Sequence, residues 1–97
     1  MVSVKISDST NSKKKMMAIF FNDDNKKIKT THFGQANADD FTKTGDEAQK
    51  QRYLDRHRKN ENWSDYKTAG SLARWVLWNK TSLSSSIADY KKRFGLK

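Results

Sequence analysis

The sequence has no cysteine and no proline, and only 4 glycines in 97 residues. Without cysteine there is no disulfide and no thiolate metal site. Without proline, and with few glycines, the turns must come from Asn, Asp, Ser and those glycines. No apolar run approaches the roughly 20 residues that span a bilayer, and the opening MVSVKISDST lacks the apolar stretch of a secretory leader. Carboxylates are scarce in one half. Residues 50–97 carry 12 basic and 4 acidic side chains, against 8 and 7 in residues 1–49.

What is present is charge of one sign and large rings. The net charge is +9, and the basic half also holds Tyr53, Trp63, Tyr66, Trp75, Trp78, Tyr90 and Phe94. Cations interleaved with aromatics are what a folded surface uses to dock a polyanion or an acidic protein. Only 34% of residues are hydrophobic, so the core is thin and its rings must supply most of the buried area. The length sets one domain, residues 1–97, with a β-rich part over 1–34 and a basic helical part over 44–97.

Val2, Val4 and Ile6 alternate with Ser3 and Lys5, a period-two strand. The apolar run 15–21, the turn Asn22-Asp23-Asp24-Asn25 and the stretch 26–33 predict a hairpin that the first strand joins. Residues 34–43 read as an irregular crossover. Thr44 and Glu47 have capping-box spacing ahead of a helix over 45–59, whose narrow apolar stripe is Ala48, Tyr53, Leu54 and His57. A second helix over 69–79 is apolar nearly all round, which places Trp75 and Trp78 in the core. A third, over 82–94, carries Leu83, Ile87, Tyr90 and Phe94 on one stripe and ends before Gly95. The expected class is α+β: a small antiparallel β-hairpin or three-stranded sheet followed by three short helices.

Catalytic constellations are missing. His57 and Glu61 are four residues apart but belong to no HExxH pattern, and a packing role suits His57 better than ligation. Asp23-Asp24 and Asp39-Asp40 read as turn formers. No phosphate-cradling glycine loop or nucleophile elbow occurs. The expectation is therefore no enzyme, no cofactor, no metal and no small-molecule substrate.

The candidate partner-binding residues are Arg52, Arg56, Arg58 and Lys59 on the first helix, Lys91, Lys92 and Arg93 in the last turn of the third, and Trp63 in the loop between. Asp55 is the only acid from 48 to 60, so few of these cations can be paired within the chain. Trp63 stands evenly between a core role and an exposed anchor. Lys13-Lys14-Lys15 is a weaker cluster, read as a soluble loop.

The pieces His32-Phe33-Gly34, Asp40-Phe41-Thr42, Tyr53-Leu54-Asp55-Arg56-His57, Glu61-Asn62-Trp63, Thr68-Ala69-Gly70 and Arg74-Trp75-Val76-Leu77-Trp78-Asn79-Lys80 cover about half of the chain. Together they resemble a small uncharacterised family encoded by nucleocytoplasmic large DNA viruses, including algal viruses and relatives of the giant amoebal viruses. The resemblance implies a viral protein made in the host cytoplasm or virus factory and carried in the virion, with no known activity. The expected function is a non-enzymatic minor capsid or capsid-associated protein whose partners are other capsid proteins. The second reading is a sequence-independent nucleic-acid-binding protein that helps organise viral DNA.

Overall fold

The computed structural model describes all 97 residues. Three antiparallel strands come first: β1 (Ser3–Asp8), β2 (Lys14–Phe21) and β3 (Lys27–Gln35), in the order β1-β2-β3. Val4 lies opposite Phe20 and Ile6 opposite Ala18, so the alternating apolar residues of β1 meet the inward residues of β2. On β2 the pleat sends Met16, Ala18 and Phe20 into the core, while Met17, Ile19 and Phe21 stay half-buried on the other face. The free edge of β1 is met by the last residue: Val4 N–H donates to the Lys97 carbonyl and Lys97 N–H to the Val2 carbonyl.

The turns follow the composition. Asn25 and Asn37 adopt the left-handed conformation, at φ 60° and 68°, as do Gly34, Gly45 and Gly95. Asn22 Oδ1 accepts from the N–H groups of Asp24 and Lys26 and closes the hairpin tip.

Four helices and a π-turn pack on one face of the sheet. The crossover contains a helix the periodicity missed, α1 (Phe41–Thr44), capped by Asp40 and stopped by Gly45. The next helix, α2 (Glu47–His57), is capped by Asp46, which accepts from Gln49 N–H. The Thr44–Glu47 capping box is thus not formed: Thr44 ends α1, and its hydroxyl accepts from Asp46 N–H and donates to Gln49. Helix α2 is shorter than 45–59, so Lys59 lies beyond its end, and Ala48 is exposed, which leaves Tyr53 and Leu54 as its buried stripe.

The second expected helix splits. An α-helical start, α3 (Ala69–Leu72), capped by Thr68, runs into a π-turn (Ala73–Leu77), closed where Trp78 N–H donates to the Ala73 carbonyl. The last helix is α4 (Leu83–Phe94), between the caps Ser82 and Gly95. Of its expected stripe, Tyr90 is fully buried, Ile87 and Phe94 pack against the core, and Leu83 is exposed; Ser86 takes the buried place.

Phe20, Phe33, Leu72, Val76 and Tyr90 form the centre of the core. Three of its hydroxyls bond to loop carbonyls. Tyr90 O–H donates to the Tyr66 carbonyl at 2.5 Å, Ser71 O–H to the Asn62 carbonyl at 3.0 Å, and Thr31 O–H to the Lys67 carbonyl at 2.8 Å. These three bonds fasten the loop 58–68 onto the sheet and helices.

Candidate functional site

The π-turn positions an arginine–tryptophan cluster. Its extra residue lets Val76 and Leu77 turn into the core while Arg74 and Trp75 stay half-buried at the surface. Trp75 is therefore not the core residue its helical position implied; Trp78 is, at 8% exposure. The Arg74 guanidinium lies over the Trp75 ring at 4.1 Å and over Trp63 at 5.6 Å, and Arg93 from α4 lies over Trp75 at 3.8 Å. Trp75 Nε1–H donates to the Trp63 carbonyl, which fixes the loop tryptophan beside the turn.

Cations crowd this region. Arg74 donates to the Trp78 carbonyl at 2.7 Å and Lys50 to the Asn79 carbonyl at 2.9 Å, so both satisfy carbonyls left free where the π-turn ends. Burial, and next the Arg93 charge, push the Arg74 guanidinium below its ordinary pKa, with Arg58 acting in the same direction. Burial, and next the Arg74 charge, lower Lys50. The Arg74 Nε is buried without a hydrogen-bond partner. Asp89 accepts from Asn79 at 2.7 Å and from Arg93 at 3.2 Å, and these bonds hold its carboxyl below the usual range.

The candidate residues separate accordingly. Trp63 and Arg93 meet Arg74 and Trp75, and the Arg58 charge acts on Arg74. Arg52, Lys59 and Lys92 are exposed elsewhere, and Lys91 is half-buried. Arg56 belongs to a different feature, a cleft of about 400 Å³ between the β2–β3 side, the turn before α1, α2 and α3. Arg74 and Lys50 were not singled out in the sequence. Their sign was visible, but their burial over carbonyls depends on the π-turn, which leaves no mark in the residue pattern.

The cleft gathers residues distant in sequence. Its aromatic wall is a column: Tyr53 stacks on Trp78 at 4.4 Å and on His57 at 4.2 Å. Glu61 accepts from His57 Nδ1 at 3.1 Å and from Trp63 Nε1–H at 2.9 Å. Burial raises the Tyr53 phenol far above its usual pKa, with the Glu61 charge adding to the effect. Asp40, 2% exposed, accepts from Lys15 Nζ at 2.5 Å and from the Thr42 N–H and hydroxyl. Asp40 and Glu61 are both occupied by neighbouring donors, which suits a scaffolding role. No group of three His, Cys, Asp or Glu side chains comes close enough to hold a metal ion, and no helix is long and apolar enough to cross a membrane.

A small α+β domain with a cationic helical surface is the class that fold and site define. A family model described as "Family of unknown function (DUF5754)" matches residues 4–57. The match covers more than half of the chain, and the protein belongs to this family. The matched segment holds the sheet, α1, α2 and one side of the cleft; the arginine–tryptophan cluster, apart from packing neighbours on α2, lies beyond it. No curated protein and no solved structure matches the chain.

Proposed function

We propose that the protein is a non-enzymatic structural component of a large DNA virus particle, a minor capsid or capsid-associated protein that docks its cationic helical surface on an acidic protein surface. The observation that carries this reading is the stacking of Arg74 over Trp63 and Trp75 and of Arg93 over Trp75, where Arg74 has no ion-pair partner and the carboxylates at the cluster are Asp89, bonded to Arg93, and Glu61, bonded to Trp63. Half-buried Trp and Arg side chains are the residue types that anchor protein interfaces. Cations that the chain leaves without counter-charges gain most from a partner that brings them. The resemblance to virus-encoded proteins supplies the setting.

Stepwise disruption of purified particles tests the reading. The protein is expected to leave with the shell proteins, and the variant Arg58→Gln/Trp63→Ala/Arg93→Gln, folded by circular dichroism, is expected to be depleted from particles. Co-purification with the genome core, with a log–log salt slope of about 0.9 per phosphate contact, would favour the nucleic-acid reading, for which the net charge of +9 speaks. Normal incorporation of the folded triple variant would remove the cluster from either role.

A further inference from the structure

The cleft beside α2 has a chemistry of its own. It is lined by three carboxylates and four groups that can be cationic, yet their pairing is uneven. Asp40 is taken by Lys15 and Thr42, and Glu61 by His57 and Trp63. Arg56 and Lys14 have no ion-pair partner. Tyr53 lines the cleft, and its hydroxyl has no hydrogen-bond partner in the chain. His57 spends Nδ1 on Glu61, which leaves Nε2 free. Three of the groups still free to bind something are donors, a guanidinium, an ammonium and a phenol, and Asp39 is the one free acid.

The walls are fixed. The His57–Tyr53–Trp78 column is anchored in α2 and at the end of the π-turn. Gly34 and Gly70 allow tight packing around the cleft: a Cβ on Gly34 would stand 2.7 Å from Leu77 Cδ1, and one on Gly70 3.0 Å from Glu61 Cδ. A partly aromatic cleft of about 400 Å³ is within the usual size of a small-molecule site.

We propose that this cleft binds a small molecule bearing a phosphate group, with Arg56 and Lys14 supplying charge, the Tyr53 hydroxyl a hydrogen bond, and the aromatic column a surface for the rest of the ligand. Several separate donors of this kind suit the three oxygens of a phosphate monoester better than the two of a carboxylate. The site is distinct from the arginine–tryptophan cluster and asks for binding without turnover.

Titration of the full chain with phenyl phosphate, followed by the amide, indole and arginine side-chain N–H signals in NMR, tests the proposal, with phenol as the uncharged comparison. Saturable shifts at Trp78 and Arg56 are expected with phenyl phosphate and not with phenol. Arg56→Gln, at an exposed position, is expected to weaken binding at least tenfold, and Tyr53→Phe severalfold, with Arg93→Gln unchanged. Shifts that never saturate, equal binding of phenol, or an affinity that follows Arg93→Gln rather than Arg56→Gln would overturn it. Loss of particle incorporation by the Arg58/Trp63/Arg93 variant leaves this outcome untouched, so the two sites fail or stand separately.

Discussion

Trp78 lies flat against Tyr53, with ring centroids 4.4 Å apart and planes 8° from parallel. That contact joins the end of the π-turn to α2 and makes Trp78, rather than Trp75, the tryptophan on which the helical layer depends. Trp78→Ala is expected to cost about 3–5 kcal/mol, the usual range for a buried large ring. Trp75→Ala removes two cation–π contacts and one hydrogen bond at a half-buried site, and about 1–2 kcal/mol is expected. Urea denaturation of the two variants gives the order directly, and a larger loss for Trp75→Ala would reverse the assignment of the core.

Asp40 caps α1 and neutralises Lys15 on β2, so it ties the sheet to the crossover. Asp40→Asn keeps a good cap and removes the charge. The expected loss is toward the low end of roughly 3–5 kcal/mol, because Lys15 is left with an uncompensated charge but keeps some contact with water. Adding Lys15→Met should recover part of that loss. A double variant as unstable as the sum of the singles would mean that the pair is not coupled.

The Asp89 carboxyl titrates below the ordinary range because Asn79 and then Arg93 donate to its ionised form. A depressed folded-state pKa contributes stability above the unfolded value of about 3.9 and loses it as pH falls through the folded value. Asp89→Asn is therefore expected to lower the melting temperature at pH 7, by the equivalent of about 1 kcal/mol. The gap from the parent protein should close in acid. A gap that is constant from pH 7 down to pH 2 would count against the carboxylate's role.

Gly34 and Gly95 separate two costs of a side chain at positive φ. At Gly95, φ 65°, an added Cβ meets nothing within 4 Å, so Gly95→Ala should cost about 1 kcal/mol for conformation alone. At Gly34, φ 78°, the same change also drives a methyl into Leu77. A loss of about 2–4 kcal/mol is expected there. Equal melting temperatures for the two variants would show that Leu77 yields freely.

Strand residues were legible because alternation is local. Val4 and Ile6 and the apolar run through Phe20 announce their pairing, and Asn22–Asn25 announces the turn. Gly95 and the last helix were equally plain. The caps were harder. Asp40, Thr44 and Asp46 are all acceptable caps within seven residues, and the burial of Phe41 and the left-handed Gly45 accompany the extra helix before α2. The site was half legible. Charge and rings marked Arg58, Trp63 and Arg93, but a uniform helical wheel put Trp75 inside and gave no reason to single out Arg74. The cleft was hidden because Lys14, Tyr53, His57 and Gly70 meet only through tertiary packing, which no local period reports.

Ordinary helical pitch advances about 100° per residue, so successive residues cannot all face inward. Here Arg74 and Trp75 are half-buried, Val76 and Leu77 follow them into the core, and Trp78 and Asn79, just past the turn, are buried as well. The widened turn at Ala73–Leu77 acts as a phase reset: it lets one short stretch serve two roles in sequence, first the half-buried arginine–tryptophan cluster and then the core. It also makes the length of that stretch as strictly specified as its composition. Removing any one residue between 73 and 77 would restore an even pitch, swing Trp78 away from Tyr53, and dismantle the cluster and the cleft wall together.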